Sequence, residues 1–562
     1  MKVLLLGGYG GFGARIARRL ADAGHEVLVA GRSREKAEKF CAGRPRLTPL
    51  RLDRDRDIVL VLAEHRPAVL IDAAGPFQGL GYAVARACIA ARCHYLDIAD
   101  ARDFVAGIGT LAEAARAAGV VVVSGASSVP ALSGAAAHAL ADGMDHVRAV
   151  EIAISASNRA TAGASVTKAI FSYIGKPIPL WRAGRWTSGF GWQDIRHEAF
   201  TIADEPPLAG RLVGLADVPD LALLPDRLPG KPSVSFRAGT ELRWQNRALW
   251  LASWPVRWGW ISNLVRFAPL VLQAQRLTSA WGSDRSGMMV RLFGHAGGRA
   301  VERRWTLIAS EGDGPEIPGL AAAILVDRLA RGDVPAGACD AGEILSLSAF
   351  EPAFTQLAIR HEMAELPQPP PLYARVLGDA FATLPAALRA IHTVLRDGGA
   401  HGRAMVTRGC NPIARAIAAL FGFPPEGEHG LHVAFAESGG VETWIRDFSG
   451  HRFSSQLSQQ GQQLVERFGP LRFGFNLVAD DKGLAMQLKR WWLGPIPLPL
   501  TLAPRSLARE WEEDGRFHFD VPIALPLIGL VVHYRGWLEP AGDSARSLQQ
   551  NAPDRARRVL SG

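Results

Sequence analysis

The sequence predicts an α/β protein with an N-terminal doubly wound parallel sheet, an α+β second domain and a mostly β C-terminal domain. Three observations lead to this prediction. A glycine-rich turn follows an apolar run at the N-terminus, and apolar runs alternate with alanine-rich stretches over residues 1–135. Beyond residue 372, short strand-like runs are separated by glycine. Strands that alternate with helices are typical of a parallel sheet covered on both faces.

The first domain, predicted at residues 1–135, carries the alternating pattern. Strands are predicted at residues 2–6, 26–30, 47–52, 68–73, 94–97 and 119–124, and helices at 11–23, 83–91 and 110–118. Ligands of such sheets bind beyond the carboxyl ends of the strands. Small residues follow three of these ends, at 74–77, 97–100 and 124–130. We therefore expect the binding crevice to lie there.

The glycine-rich turn after the first strand reads Gly7-Gly8-Tyr9-Gly10-Gly11-Phe12-Gly13. In this pattern Gly8 allows a tight turn, Gly10 leaves room for a pyrophosphate, and Gly13 lets the next helix pack closely. That helix directs its N-terminal amides and the positive end of its dipole toward the anion. Because the motif follows a strand and opens a helix, it predicts a dinucleotide site in a Rossmann domain. The residues predicted to bind the cofactor here are Gly8, Tyr9, Gly10, Gly11, Phe12 and Gly13.

The turn after the second strand selects the cofactor. An acidic residue about 20 positions past the glycines usually binds the ribose 2′-hydroxyl of NAD. This chain has Arg32 and Ser33 there, and no carboxylate before Glu35. A guanidinium group can bind a 2′-phosphate through two charge-assisted hydrogen bonds, whereas a carboxylate would repel it. We therefore predict NADP(H); the alternative is that Arg32 is a solvated loop residue.

The segment after the fourth strand contains Ala74, Gly75 and Pro76. Small residues at this edge let a nicotinamide ribose lie against the backbone. We therefore include these three residues in the predicted cofactor site.

The second and third domains are predicted at residues 136–365 and 372–540. Alternating runs at 149–155, 288–293 and 304–308 predict a second, antiparallel sheet, and a helix is predicted from about 313 to 330. The proline-rich tract 365–371 is predicted to be a stiff linker. Strand-like runs at 431–436, 441–448, 471–478 and 528–534 indicate a mostly β C-terminal domain.

Composition excludes several classes of protein. The net charge is +9 and the pI about 9.6, but the arginines are scattered and form no basic block, so nucleic-acid binding has little support. The five cysteines are widely spread, so neither a disulfide framework nor a metal site is predicted, as in a reducing cytoplasm. No signal peptide and no apolar run of about 18 residues is evident. We expect a cytoplasmic protein, and the abundance of Ala, Gly and Arg indicates a bacterial source.

The sequence assigns no catalytic residue. Short-chain dehydrogenases use a Tyr with a Lys four positions later for proton transfer, and no tyrosine of this chain has that partner. Tyr173 has Lys176 at the wrong spacing, beyond the cofactor domain. Three weak candidates for a proton donor are Asp97, Ser128 and Lys168. The alternatives are that Asp97 accepts backbone hydrogen bonds in a turn, that Ser128 is a turn residue and that Lys168 is solvated.

Tryptophans are concentrated in one part of the second domain. Nine of the fifteen lie between Trp181 and Trp281, and four arginines (Arg243, Arg247, Arg257 and Arg266) run through the same stretch. This density indicates either an aromatic-walled pocket for a large apolar substrate or a surface that contacts a membrane. An ordinary domain core is the alternative.

Several segments resemble the saccharopine dehydrogenase-like family of NADP-dependent oxidoreductases. They are residues 3–13, 69–77, 87–88, 94–98, 125–133 and 312–318, and the resemblance covers roughly residues 1–350. Residues 372–540 resemble a bacterial domain family of unknown function. The first resemblance implies an NADP domain followed by an α+β substrate domain. Members of the family reduce imines in amino-acid metabolism, and relatives act as enoyl reductases in lipid synthesis.

Together, the motifs and the resemblance predict an NADPH-dependent reductase that acts on an apolar or lipid-like small molecule. Two alternatives remain: a dehydrogenase that forms or reduces imines in amino-acid metabolism, and a non-catalytic NADP sensor. The tryptophans also indicate a membrane as a further partner, which the protein would contact peripherally. The sequence leaves the oligomeric state open.

Overall fold

The structure is a computed structural model that describes residues 1–159, 163–480 and 482–541. Its first part contains strands β1 (Lys2–Leu6), β2 (Glu26–Gly31), β3 (Leu47–Arg51), β4 (Val69–Asp72), β5 (His94–Asp97) and β6 (Val121–Ser124). The helices here are α1 (Gly11–Asp22), α2 (Arg34–Cys41), α3 (Ile58–His65), α4 (Ala83–Ala90), α5 (Arg102–Ala106), α6 (Ala112–Ala118) and α7 (Ser133–Ala141). The predicted strands are all present, with ends that differ by at most two residues.

The second part contains strands β7 (His146–Ala156), β8 (Pro177–Arg182), β9 (Arg185–Phe190), β10 (Arg196–Phe200), β11 (Leu208–Leu215), β12 (Ser233–Thr240), β13 (Ser286–Ala296), β14 (Arg299–Ala309), β15 (Gly337–Asp340) and β16 (Ile359–Pro367). Its helices are α8 (Ala164–Tyr173), α9 (Asp220–Arg227), α10 (Arg243–Arg257), α11 (Ala268–Thr278), α12 (Ile317–Arg331) and α13 (Glu351–Thr355).

The third part begins with helices α14 (Leu372–Leu377), α15 (Ala380–Thr383) and α16 (Ala386–His392), and α17 (Pro412–Leu420) follows the first strand. Its strands are β17 (Asp397–Arg408), β18 (Gly427–Ser438), β19 (Val441–Phe448), β20 (His451–Gln460), β21 (Gln463–Phe468), β22 (Leu471–Asp480), β23 (Gly483–Leu493), β24 (Ile496–Pro497), β25 (Leu507–Glu513), β26 (Arg516–Leu525) and β27 (Gly529–Pro540).

The first sheet is parallel and has the order β15-β6-β5-β4-β1-β2-β3. Residues Val3–Leu5 of β1 are fully buried, because helices cover both faces of a doubly wound sheet. The predicted N-terminal fold is confirmed. Strand β15 comes from residues 337–340, so the chain returns to the first sheet after forming the second. Helix α12 also packs on α1, where Gly319 leaves room for Ile16.

The second sheet has the order β10-β11-β12-β7-β13-β14-β16 and is mixed. The three strands predicted to form an antiparallel sheet, β7, β13 and β14, do pair antiparallel. The sheet as a whole is mixed because β12 and β7 pair in parallel. The long connection between them, which includes α8 and α9, permits the parallel crossover. The predicted linker 365–371 also needs correction at its start. Residues 365–367 extend β16 and pair with β14, so they belong to the sheet.

The third sheet closes on itself. Ten of the described strands follow one another in the order β22-β21-β20-β19-β18-β17-β27-β26-β25-β23, and β23 pairs back with β22. All these pairings are antiparallel, so the mostly β character predicted for this part is confirmed. Helices α14–α16 pack into the barrel core, where His392 is fully buried and stacks on Tyr373 with ring centroids 3.7 Å apart.

The barrel docks on the second sheet through buried polar contacts. Arg396, just before β17, forms hydrogen bonds of 2.8 and 3.1 Å to the two carboxylate oxygens of Glu151 on β7. The turn between β8 and β9 also reaches the barrel, because the backbone N–H of Ala183 donates to Asp397 and His432 lies 2.9 Å from the Ala183 carbonyl oxygen. These contacts fix the barrel against the remainder of the chain.

None of the helices in the described ranges combines the length and the apolar character needed to cross a membrane.

Candidate functional site

The glycine-rich turn after β1 brings strand, turn and helix into close contact. A Cβ atom at Gly13 would lie 2.2 Å from the carbonyl oxygen of Gly7, so only glycine fits without a shift of the backbone. The backbone N–H of Gly10 donates a hydrogen bond of 2.8 Å to the carbonyl oxygen of Gly7, so Gly8 and Tyr9 are the central residues of the turn. The positive φ, +71°, is that of Gly7. Gly7 also approaches Ala73 closely, because a Cβ added at Gly7 would lie 2.9 Å from the Ala73 carbonyl oxygen.

The first turn of α1 is open to an anion. Its N-cap is Gly10, which offers no side-chain cap, and no acidic residue lies in the first turn. Gly10 and Gly11 are exposed, while Phe12 is half-buried. The N-terminal amides of a helix have no partner within the helix and carry the positive end of its dipole. This terminus therefore provides donors and charge suited to a pyrophosphate.

The turn after β2 presents Arg32 to solvent. The hydroxyl of Tyr9 accepts a hydrogen bond of 2.9 Å from the backbone N–H of Ser33, and the Tyr9 ring lies where a side chain at residue 31 would clash. The side chain of Ser33 in turn caps α2. Arg32 is exposed and forms no ion pair or hydrogen bond with any residue that the structure describes. Its guanidinium group is therefore free to bind a phosphate.

The segment Ala74–Pro76 lies beyond the carboxyl end of β4 and is held in place by hydrogen bonds to its backbone carbonyl groups. Arg54 donates a hydrogen bond of 3.0 Å to the carbonyl oxygen of Ala74 and lies 3.4 Å from Asp72. Burial raises the pKa of Asp72, although Arg54 opposes the shift. The carbonyl oxygen of Gly75 accepts a hydrogen bond from Ser165 on α8. Helix α8 of the second part therefore touches the predicted cofactor crevice.

The three candidates for a proton donor lie in different environments. Asp97 is fully buried, and one of its oxygens accepts hydrogen bonds from the N–H groups of Ala99 and Gly125 and from the hydroxyl of Ser124. Burial raises the pKa of Asp97 to about 7 against these hydrogen bonds. Asp97 therefore accepts hydrogen bonds that stabilise the turns around it. Ser128 is half-buried next to this turn, and Lys168 is exposed on α8.

A polar cluster near the crevice was missed by the sequence analysis. Gln78 donates a hydrogen bond of 3.2 Å to Asp100, while its buried carbonyl oxygen has no partner among the described residues. Tyr173, at the end of α8, faces Asp100 and Asp217. Burial and these two carboxylates hold the pKa of the Tyr173 hydroxyl well above its usual range. Only the packing of α8 on the first domain brings these groups together, and no local signal in the sequence shows it.

The tryptophan-rich stretch divides into core and surface. Trp181 and Trp192 are buried, but Trp244, Trp258, Trp260 and Trp281 are exposed by 49–75%. The exposed rings lie on and around α10 and α11, together with Leu251, Leu270 and Leu277. Residues 242–283 contain no acidic residue and five arginines. This stretch therefore presents an apolar and basic surface, which we call the tryptophan surface.

Comparison with known sequence families identifies two segments. Residues 3–123 match the family described as saccharopine dehydrogenase NADP binding domain. The match covers β1 to β6 and the residues predicted to bind the cofactor. Residues 384–538 match a domain of unknown function, DUF4166, which corresponds to the barrel. The predicted resemblance of both segments is confirmed.

Solved structures give only distant likenesses. Apo saccharopine dehydrogenase (L-Glu forming) from Saccharomyces cerevisiae is 13% identical, with 65% of this chain and 99% of that chain covered and a TM-score of 0.43. Yeast Gre2, a methylglyoxal/isovaleraldehyde reductase complexed with NADPH, is 17% identical over 17% of this chain and 36% of that chain, with a TM-score of 0.16. Comparison with curated proteins gave no match. The saccharopine dehydrogenase NADP-binding domain supports an oxidoreductase that uses a nicotinamide cofactor.

Proposed function

We propose that the protein is an NADPH-dependent reductase that acts on an apolar or lipid-like substrate. The observation that carries the cofactor assignment is the free guanidinium group of Arg32 at the end of β2. The terminus of α1 has no side-chain cap, and no carboxylate lies between the end of β2 and Glu35. A phosphate bound there would gain a charge-assisted hydrogen bond without displacing an existing ion pair.

The residues at the sheet edge fit this cofactor. Gly8–Gly13 would hold the pyrophosphate, Arg32 and Ser33 the 2′-phosphate, and Ala74–Pro76 the nicotinamide ribose. The cofactor supplies the hydride, and the protein supplies orientation, exclusion of water and a proton. Hydroxyl groups near the crevice are those of Ser128 and Tyr173. Asp97 does not serve as a direct donor in this proposal, because its hydrogen bonds hold it inside a turn.

The assignment of an apolar substrate rests on the tryptophan surface and its connection to the crevice. Helix α8 donates to Gly75 at its first turn and packs against α11 farther along its length. Residues Ile170, Phe171 and Ile174 form an apolar cluster with α10 and α11. Helix α8 therefore connects the tryptophan surface to the sheet edge that would hold the nicotinamide, and this connection supports an apolar substrate.

The tryptophan surface also fits an anionic membrane. Arg247 and Arg266 are exposed, and neither forms an ion pair with a residue in the described ranges. Tryptophan and arginine side by side suit the boundary between acyl chains and anionic headgroups. We propose that the protein takes its substrate from such a surface while bound to it peripherally.

Replacement of Arg32 tests the cofactor assignment. We expect Arg32→Glu to weaken NADPH binding about tenfold or more, equivalent to about 1.4 kcal/mol, because a carboxylate repels the 2′-phosphate. NADH binding should change far less. The control is Arg44→Glu, which makes the same change of charge beyond the far end of α2. Equal losses for NADPH and NADH, measured by fluorescence titration, would refute the assignment.

Vesicle binding tests the proposed membrane contact. We expect the wild-type protein to bind phosphatidylglycerol vesicles and to ignore phosphatidylcholine vesicles, with a blue shift of its tryptophan fluorescence. The double variant Trp258→Ala/Trp260→Ala should bind about tenfold more weakly, because each exposed ring contributes apolar area at the interface. The control is Trp186→Ala, which removes an exposed ring outside the tryptophan surface. Failure of the wild type to bind, or equal binding by the double variant, contradicts the proposal.

A further inference from the structure

The barrel of the third part encloses a cavity with a volume of about 160 Å³. Its wall is mostly apolar and includes Phe423, Leu457, Phe475, Met486, Ile523 and Val531. Protein interiors are close-packed, and voids larger than a water molecule are few. Engineered apolar cavities of about 150 Å³ stay dry and bind small apolar molecules such as benzene. The cavity is therefore large enough for a ligand, and its wall favours an apolar one.

The charged side chains that line the cavity already have polar partners inside the barrel. Arg446 donates to Ser455 at 2.9 Å and lies 3.5 Å from Glu466. Glu510 lies 2.7 Å from His392. Arg446 and the two glutamates line the cavity, and no arginine or lysine besides Arg446 does so among the described residues. A carboxylate ligand would add negative charge to a wall that already carries two glutamates, and burial of an unpaired charge is costly.

Two hydroxyl groups on the cavity wall remain available. Tyr373 and Tyr534 both line the cavity, and neither hydroxyl has a hydrogen-bond partner within the described part of the chain. Burial raises the pKa of Tyr534 to about 12, so this phenol stays protonated and can donate. Buried polar groups are normally hydrogen-bonded. A ligand with one hydroxyl or carbonyl group would supply the missing partner.

Three segments that line the cavity also carry exposed leucines, which we call the apolar rim: helix α17, the hairpin of β26 and β27, and residues 500–506. The side chain of Asn411, the N-cap of α17, donates to Ile528, and the N–H of Arg505 donates to Ala524. The start of α17 and residues 500–506 therefore both contact the hairpin of β26 and β27. Each of the three segments exposes a leucine next to cavity-lining residues, namely Leu420, Leu527 and Leu502, with exposures of 82%, 104% and 54%. Such a rim suits the entry of an apolar molecule.

We propose that the barrel binds an uncharged apolar molecule that carries one hydroxyl or carbonyl group. The apolar wall provides the affinity, the matched charges exclude ionised ligands, and the tyrosine hydroxyls orient the polar end. This proposal stands on the barrel alone and does not depend on the cofactor or on the proposed reductase activity.

A displacement assay on the full chain tests this site. The uncharged fluorophore N-phenyl-1-naphthylamine should gain fluorescence on binding. Decanol should displace it at a concentration about tenfold lower than decanoate or decylammonium at pH 8. The probe is titrated in the Trp258→Ala/Trp260→Ala background as well, so that binding at the tryptophan surface is separated from binding in the barrel. More effective displacement by decanoate or decylammonium overturns the proposal.

Two variants at adjacent positions show whether the probe binds in the cavity. Ala508→Phe fills the cavity, whereas Leu507→Phe adds the same ring at an exposed neighbouring position. We expect at least tenfold weaker probe binding in the first and little change in the second. A second variant, Tyr534→Phe, keeps the shape of the wall and should weaken decanol about threefold or more without changing the probe. Probe binding that is absent in wild type, or decanol binding insensitive to Tyr534→Phe, contradicts the site.

Discussion

We expect the Gly13→Ala variant to lose at least about tenfold in affinity for NADPH. The added Cβ would lie 2.2 Å from the Gly7 carbonyl oxygen and 3.0 Å from the Cα of Gly8, so the clash is with backbone and not with a flexible side chain. The turn must open, and this moves the N-terminal amides of α1 away from the pyrophosphate. Overpacking of this kind also costs about 1–3 kcal/mol of stability.

A second glycine in the same domain provides the control. A Cβ atom added at Gly109 would meet no atom within 4 Å, and the φ of Gly109 is not positive, so Gly109→Ala should leave NADPH binding and stability nearly unchanged. Fluorescence titration gives the affinity, and thermal unfolding monitored by circular dichroism gives the stability. If Gly13→Ala binds NADPH as well as Gly109→Ala does, the turn does not hold the pyrophosphate.

We expect Glu151→Gln to lower the free energy of unfolding by about 3–5 kcal/mol. Glu151 is buried between the second sheet and the barrel, where it accepts hydrogen bonds from Arg396 and lies 2.9 Å from Arg291. Loss of the carboxylate leaves the largely buried guanidinium group of Arg396 without its ion-pair partner, while Arg291 keeps Glu198. Removal of one partner of a buried ion pair is costly. The control is Glu428→Gln, which breaks an exposed pair with Arg403 and should cost less than about 1 kcal/mol. Urea unfolding followed by fluorescence measures both.

The lowered pKa of Glu151 predicts that the stability of the protein depends on pH. Burial alone would raise the pKa of Glu151, but Arg291 and Arg396 outweigh it and lower the pKa from 4.5 to about 2. Because the folded-state pKa is depressed, the stabilisation is present above pH 4.5 and is lost as the pH falls toward 2. A shift of this size corresponds to about 3 kcal/mol.

Comparison with the glutamine variant isolates this contribution. Asp97 acts in the opposite direction, because its raised pKa makes its ionisation destabilising as the pH rises through about 7. This second effect is common to wild type and Glu151→Gln and cancels in their difference. The difference in unfolding free energy between the two proteins should therefore shrink between pH 4.5 and pH 2. A difference that stays constant over this range would show that Glu151 is not stabilised by its arginines.

The first sheet could be predicted from the sequence because its signals are local. Strands β1, β2, β4, β5 and β6 are short and largely buried runs. The turn after β1 needs glycines, and these are visible at residues 7–13. The prediction for Arg32 rests on the same kind of local signal, since the residue after β2 has a fixed place in the fold. The positive φ of Gly7 and its close approach to Ala73 were not predicted, because Ala73 follows β4 and meets the turn only in the folded sheet.

Features that depend on long-range packing were missed. The parallel pairing of β7 with β12 and the return of β15 to the first sheet join segments that are far apart in sequence. Closure of the barrel depends on the pairing of β22 with β23, although each strand alone reads as an ordinary alternating run. Tyr173 reaches the crevice only because α8 packs on the first domain. No residue pattern near Tyr173 records that contact.

The structure of the protein crystallised with NADPH tests the central claim most directly. We predict that the pyrophosphate lies over the first turn of α1, at Gly10–Gly13, and that the 2′-phosphate lies within hydrogen-bonding distance of the Arg32 guanidinium group. A cofactor bound elsewhere, a 2′-phosphate that points away from Arg32, or an empty turn at saturating NADPH would contradict the account.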